Sequence, residues 1–183
     1  MKILAFDTTL RNCSVALLDS GEICAYRTEF IERGHAEALI PMVQDAMEAG
    51  KLNYAALDLV ATTTGPGTFT GQRIGIAAAR GIGLAQSLPV HGVSTLDAIA
   101  WGAASSGLAR DGEDIIVALD ARREELYAQC FIWPWAWPES RSTPKIVSLG
   151  GFHDWITSDS AVVVGTAADL ISDDLGPNTG AIR

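Results

Sequence analysis

The stretch Thr63-Thr64-Gly65-Pro66-Gly67-Thr68-Phe69-Thr70-Gly71-Gln72-Arg73-Ile74-Gly75 decides how this chain is read. Before it, Leu57, Leu59, Val60 and Ala61 form an apolar run that predicts a buried strand. After it, Ile76-Ala77-Ala78-Ala79-Arg80-Gly81-Ile82-Gly83-Leu84-Ala85 predicts a helix, apolar nearly all round and so expected to pack on two sides. Glycines at a strand-to-helix turn let backbone N–H groups approach an anion at the helix N-terminus. The stretch has neither the Gly-Lys-Ser/Thr ending of a phosphate loop nor a GxGxxG fingerprint. Gly65, Gly67 and Gly71 therefore support two readings: an anion pocket, or a tight turn that seats the helix close to the sheet. No Lys follows to neutralise a phosphate, which favours the second.

Working outward, Ile3 to Phe6 predicts a first strand, followed by a polar turn over 7–12, and strands Cys13 to Leu18 and Ile23 to Phe30 predict a hairpin. Over 33–49, Ala36, Leu39, Ile40, Val43 and Met47 recur at helical spacing, with Pro41 expected to kink the helix and Gly50 to end it. Downstream come a strand from Pro89 to Val93, Ser94 as an N-cap, and a helix from Thr95 to Ala104. After a polar linker, Ile115 to Asp120 repeats the opening pattern of an apolar strand ending in an acid, and Glu125 to Trp133 predicts its partner. The echo suggests two related lobes, 1–107 and 108–183. Beyond 133, Pro134, Pro138 and Pro144 among the tryptophans predict a loop. Ala161 to Gly165 predicts a late buried strand, and Ser172 to Arg183 an irregular tail.

With 183 residues, 48% of them hydrophobic, the chain can bury a sizeable core. Its formal net charge is −9, and acids outnumber bases in both halves, so neither half offers a basic stripe for nucleic acid. Any role on nucleic acid would need a basic partner, and the isolated chain is not expected to retain nucleic acid at physiological salt. Cys13, Cys24 and Cys130 are scattered without a CxxC pair, which reads as free thiols in a reducing compartment. No signal-peptide pattern precedes Asp7 and no apolar run reaches spanning length, so the expectation is a cytoplasmic chain with no membrane partner.

Asp7 is either a magnesium or phosphate-turn acid, or a turn acid bonded to its own backbone, the role favoured by Thr8-Thr9 following it in place of glycine. His35, beside Arg33 and Glu37 at a helix start, reads as a surface or capping residue next to an interface. Asp120, Arg122, Glu124 and Glu125 read as a solvated hairpin turn. Trp133, Trp135 and Trp137 alternate, so in an extended chain they share one face, as a contact surface or as a tip folded on its own lobe. No Ser–His–Asp or Cys–His set is recognisable by spacing. The helices over 33–49 and 70–86 are expected to form one docking face, with Leu39, Val43 and Met47 supplying bulk and Ile74, Ala77, Ala78 and Gly81 allowing close approach, His35 and Arg73 lying alongside.

The strand ending in Asp7-Thr8-Thr9 and the Gly-Pro-Gly turn resemble the actin/Hsp70/sugar-kinase superfamily. Ile3 to Thr8, His35 with Leu39-Ile40-Pro41, Gly65 to Gly75, Gly92 to Leu96, and Leu119 to Arg122 with Glu125-Leu126-Tyr127 together resemble the TsaB (YeaZ) family. The likeness covers residues 1 to about 132; the family continues past Arg183 with a further helix, so the chain reads as C-terminally shortened. The resemblance implies an α/β fold of the actin-like, ribonuclease H-like type, two-lobed, with mixed sheets flanked by helices. It also implies a non-catalytic scaffold subunit for threonylcarbamoyladenosine modification of ANN-reading tRNAs. In the superfamily the first hairpin holds nucleotide phosphates, so Asp7, Thr8, Thr9, Gly65 and Gly67 are a degenerate version of that turn. The catalytic paralogue, TsaD, places a metal-binding HxxxH pair where this chain has Ser94-Thr95-Leu96-Asp97-Ala98-Ile99. The expectation is no catalytic residue, metal or cofactor on this chain alone, with ATP or ADP and a metal on partner subunits. Expected partners are TsaD in a heterodimer, the ATPase TsaE in a larger assembly, a second copy when alone, and tRNA only through the complex. The alternative is a stand-alone nucleotide-dependent kinase or ATPase of the same superfamily.

Overall fold

A computed structural model describes residues 1–134, 137–156, 161–171 and 179–182. The chain divides into two compact units, Met1–Thr95 and Leu96–Arg183. The sequence reading starts the second lobe at 108; the structure gives the preceding helix to the second unit, where its Trp101 stacks on Trp137 with centroids 4.5 Å apart.

In the first unit, β1 (Lys2–Asp7), β2 (Asn12–Asp19) and β3 (Glu22–Phe30) form an antiparallel meander. β4 (Leu59–Thr63) adds parallel to β1, and β5 (Val90–Val93) parallel to β4, giving the order β3-β2-β1-β4-β5. The two parallel additions need crossovers: α1 (His35–Ala49) connects β3 to β4 and α2 (Phe69–Gln86) connects β4 to β5. Period-2 alternation sends Leu4 and Phe6 of β1 and Cys13, Val15 and Leu17 of β2 to one face, where they meet Leu39, Met42, Val43, Ala46 and Met47 of α1 and Ala79 of α2. Gly50 caps α1 with an ordinary right-handed backbone; its lack of a side chain matters because a Cβ there would sit 2.5 Å from Leu17 Cδ2.

The second unit opens with α3 (Thr95–Ser105), which buries Leu96, Ala100, Ala103 and Ala104 at helical spacing. β6 (Asp114–Arg122) pairs antiparallel with β7 (Glu125–Ile132), and β7 with the short β8 (Glu139–Ser140) and β9 (Lys145–Ser148). β10 (Ala161–Val164) adds parallel to β6, and β11 (Thr179–Ile182) parallel to β10. This overturns the reading of 172–183 as wholly irregular: 179–182 is a strand, fixed by its pairing with β10 rather than by any periodicity of its own. The proline-rich loop also hides β9, whose four residues are too few to display a pattern. Two short helices, α4 (Phe152–Trp155) and α5 (Ala168–Ile171), bury Phe152, Ala168 and Ile171. β6 is buried from Asp114 to Leu119, as a central strand covered on both faces must be.

Candidate functional site

The glycine-rich turn meets the β1–β2 turn, and the contact is built from hydroxyl groups. Asp7 Oδ1 accepts from Thr9 N at 2.8 Å, Thr9 Oγ1 at 2.6 Å and Thr63 Oγ1 at 2.5 Å. One carboxylate oxygen thus closes its own turn and ties it to the end of β4, the backbone-capping role favoured for Asp7 from the sequence. The buried Thr8 donates to Gly71 O at 2.7 Å, and Thr9 O accepts from Thr68 N at 2.7 Å. Thr68 is the N-cap of α2, its side chain accepting from Gly71 N at 3.1 Å. Thr95 N donates to Gly65 O at 2.9 Å, and Gln72 Nε2 to Gly67 O at 3.0 Å.

These approaches explain the glycines. A Cβ on Gly71 would lie against Thr8 O, one on Gly67 2.5 Å from Thr9 O, and one on Gly75 2.8 Å from both Thr62 Oγ1 and Thr8 Oγ1. The helix N-terminus packs directly on Thr8 and Thr9, so the glycines serve the close seating of α2, the packing reading of the turn. Asp7, Thr8, Thr9, Gly65 and Gly67 lie in this contact, and so do Thr63, Thr68, Gln72 and Thr95, which the sequence reading did not single out. The concentration of threonine at 62–64 and 68 was the available signal.

The two-helix docking face needs a correction. Leu39, Val43 and Met47 are 1%, 0% and 4% exposed and belong to the core of the first unit, so none of them is available to a partner. The apolar stripe that reads as a free face is the one α1 turns to the sheet; its outward residues include Ile40 and Pro41. On α2, Ile74 and Ala78 pack part-buried on the same core, while Arg73, Ala77, Arg80, Gly81 and Leu84 are exposed. Phe69 and Leu84 expose 68% and 86% of their surface, and the Arg73 guanidinium lies over the Phe69 ring at 3.8 Å. His35 is half-buried with Nε2 3.0 Å from Leu10 O, so it links the start of α1 to the β1–β2 turn.

Elsewhere, Asp120 Oδ1 accepts from Arg122 N at 2.7 Å, closing the exposed β6–β7 turn in which Arg122, Arg123 and Glu124 all take positive φ. Trp133 and Trp137 gather on Trp101; Trp135 lies outside the described residues. Burial pushes the Cys13 thiol up to about 11, with Glu29 and Asp7 adding to the effect. The Cys130 thiol is raised to about 11 by burial first and then by Asp114, with Arg141 opposing. Neither is a nucleophile at neutral pH. Among the described residues no group of three or more His, Cys, Asp or Glu side chains is set to hold a metal, and no helix is long and apolar enough to cross a membrane.

Comparison with known proteins adds to this geometry. A family model described as TsaD, tRNA N6-adenosine threonylcarbamoyltransferase, matches residues 28–130. The tRNA threonylcarbamoyladenosine biosynthesis protein TsaB of Escherichia coli is 36% identical over the whole of this chain and 78% of its own length. The TsaB of Haemophilus influenzae is 35% identical over 69% of this chain, a match spanning about half (52%) of that relative. The likeness therefore extends past residue 132, where the sequence reading had placed its limit. A solved structure of YeaZ from Pseudomonas aeruginosa superposes with a TM-score of 0.84 at 28% identity, covering 99% of this chain and 84% of that one. A second Pseudomonas aeruginosa structure, described as similar to the peptidase YeaZ, gives 0.86 at the same identity and coverage. The α/β fold with mixed sheets and flanking helices is that actin-like fold. The chain belongs to the TsaB (YeaZ) family of tRNA threonylcarbamoyladenosine biosynthesis proteins.

Proposed function

We propose that this chain is a non-catalytic subunit that docks a TsaD-type transferase through the outward face of α2, with Ile40 and Pro41 of α1 beside it. The observation that carries the reading is Gly81. It sits in the interior of an 18-residue helix, exposed, and a Cβ added there would meet nothing within 4 Å. Glycine in a helix interior costs about 1 kcal/mol against alanine, and nothing inside the chain offsets that cost. A partner helix approaching closely over Gly81 and Ala77 would. Leu84 and Phe69 flank the small residues with apolar surface, worth ~25 cal/mol per Å² once covered. When the transferase is absent, a second copy would cover the same face.

Within such a complex, the ATP or ADP and the metal belong to the partners, TsaE joins the assembly, and tRNA reaches this acidic chain only through the complex. Support for a non-catalytic role comes from the residues: Ser94 to Ile99 stand where the paralogue places its histidine pair, and the Asp7 turn is engaged in packing. Co-purification with TsaD tests the reading. The wild-type chain should be retained by tagged TsaD, and Ala77→Glu should abolish retention without changing the melting temperature by more than a few degrees. Undiminished retention of Ala77→Glu would move the interface elsewhere. Magnesium-dependent ATP turnover by the pure chain, lost in Asp7→Ala, would instead establish the kinase or ATPase alternative.

A further inference from the structure

The second unit contains a cavity of about 190 Å³ that the docking reading does not use. Asp114, from the first residue of β6, lines it, its side chain nine-tenths buried. Arg141 Nη1 lies 3.2 Å from Asp114 Oδ1, yet no donor among the described residues is aligned to hydrogen-bond that oxygen. A buried carboxylate oxygen without a hydrogen bond is costly, and a charge neighbour only partly offsets the loss. The Arg141 guanidinium is about half exposed, so part of its fork remains open to solvent. Ile116, Trp155 and Ile156 supply an apolar wall. Ser142 Oγ accepts from Cys130 N at 3.0 Å, which holds the segment carrying Arg141 against β7.

We propose that this cavity binds a free α-amino acid with a short apolar side chain, its ammonium on Asp114 and its carboxylate on Arg141. The lining carries one negative and one positive charge. Cys130 adds none at neutral pH, because burial and Asp114 keep its thiol protonated. A net-neutral ligand with separated charges complements that arrangement. An ammonium brings three donors to Asp114 Oδ1, which has the Arg141 charge beside it but no hydrogen bond, and the guanidinium fork matches a carboxylate. The volume is well above that needed for a single water and admits a small organic ligand. The cavity lies between β6, β7, the segment 141–142 and the end of α4.

Calorimetric titration of the full chain tests this, with L-alanine and L-valine as probes and L-valine methyl ester and N-acetyl-L-valine as comparators. The free amino acids should bind saturably, and each derivative, lacking one charge, should lose at least tenfold in affinity. Arg141→Gln should lose carboxylate-dependent binding, with folding checked by circular dichroism because the change leaves the buried Asp114 without its charge neighbour. Arg141→Lys, which keeps the charge but not the fork, should weaken binding, and Asp114→Asn should lose it. Absence of saturable heat with either free amino acid at millimolar concentration overturns the proposal. So does equal binding of the derivatives, or binding that survives Arg141→Gln. Neither result depends on TsaD docking, so this proposal and that reading fail separately.

Discussion

The two units carry the same strand frame and clothe it differently. In each, an antiparallel pair is followed by two parallel additions: β2-β1-β4-β5 in the first and β7-β6-β10-β11 in the second. Each leading strand carries an aspartate at or near its end whose Oδ1 accepts the N–H two residues on, Asp7 to Thr9 and Asp120 to Arg122. The helices diverge. The first unit carries α1 and α2 of 15 and 18 residues; the corresponding connections of the second contain α4 and α5 of four residues each. The shared frame follows from backbone pairing and tolerates this variation, because strand order is set by the sheet. What the helices cover, and what they leave open, is where the units differ: an exposed helical face in one, a cavity lined by Asp114 and Arg141 in the other.

The largest expected effect breaks the first unit itself. Val43→Glu puts a carboxylate at a fully buried core position, which costs several kcal/mol. Its melting transition should be lost or displaced by more than ten degrees, whereas the exposed Ala77→Glu should melt like wild type; equal behaviour of the two by circular dichroism would refute the placement of the α1 core face.

Next, the paired aspartates should prove unequal. Asp7→Ala removes an acceptor from three donors, one of them on another strand, and should destabilise by about 2–3 kcal/mol. Asp120→Ala removes one exposed turn bond and should cost about 0.5–1 kcal/mol. Urea denaturation of both variants measures the difference, and a larger loss for Asp120 would show that the echo carries different weight than the geometry indicates.

Each unit also has a buried or half-buried thiol with a raised pKa. The sign follows from linkage: the folded state disfavours thiolate, so this contribution to stability is full below the unfolded thiol pKa and is lost as pH rises towards about 11. Stability should fall between about pH 9 and 11, and the decline should shrink in Cys13→Ala and Cys130→Ala compared with their own stabilities at pH 7. A decline unchanged in both variants assigns it to other groups.

The smallest effect sharpens the comparison most. Gly81 in α2 and Gly102 in α3 are both exposed, and an added Cβ meets nothing at either. Alanine at each should stabilise the isolated chain by about 1 kcal/mol. Bulk should separate them: Gly81→Leu should weaken retention by TsaD, and Gly102→Leu should not. Equal loss of retention would mean that helix surface in general, not the α2 face, governs docking.

Much of this was legible from local pattern. The β1–β2–β3 meander and β6–β7 announce themselves through alternation and apolar runs, because neighbouring strands pair within a short span of chain; the Gly65–Gly75 turn announces itself through glycine placement. The echo between Ile3–Asp7 and Ile115–Asp120 was visible for the same reason. The Leu39–Val43–Met47 stripe shows the limit: helical periodicity establishes that a face is apolar, but only the sheet beneath α1 decides that this face is core and that Ile40 points outward. β9 and β11 exist because β7 and β10 offer unpaired edges, a fact that no four-residue window contains. The role of Gly71 and Gly75 likewise came from Thr8 and Thr62, which are distant in sequence and close in space. The cavity beside Asp114 was invisible for a related reason: its lining comes from β6, β7, the segment 141–142 and residues 155–156, which are distant in sequence. Sequence by itself determined β1 to β7, β10 and the family, since these rest on order along the chain. Burial, close approach and open volume were decided by tertiary packing, since each depends on what a distant segment places alongside.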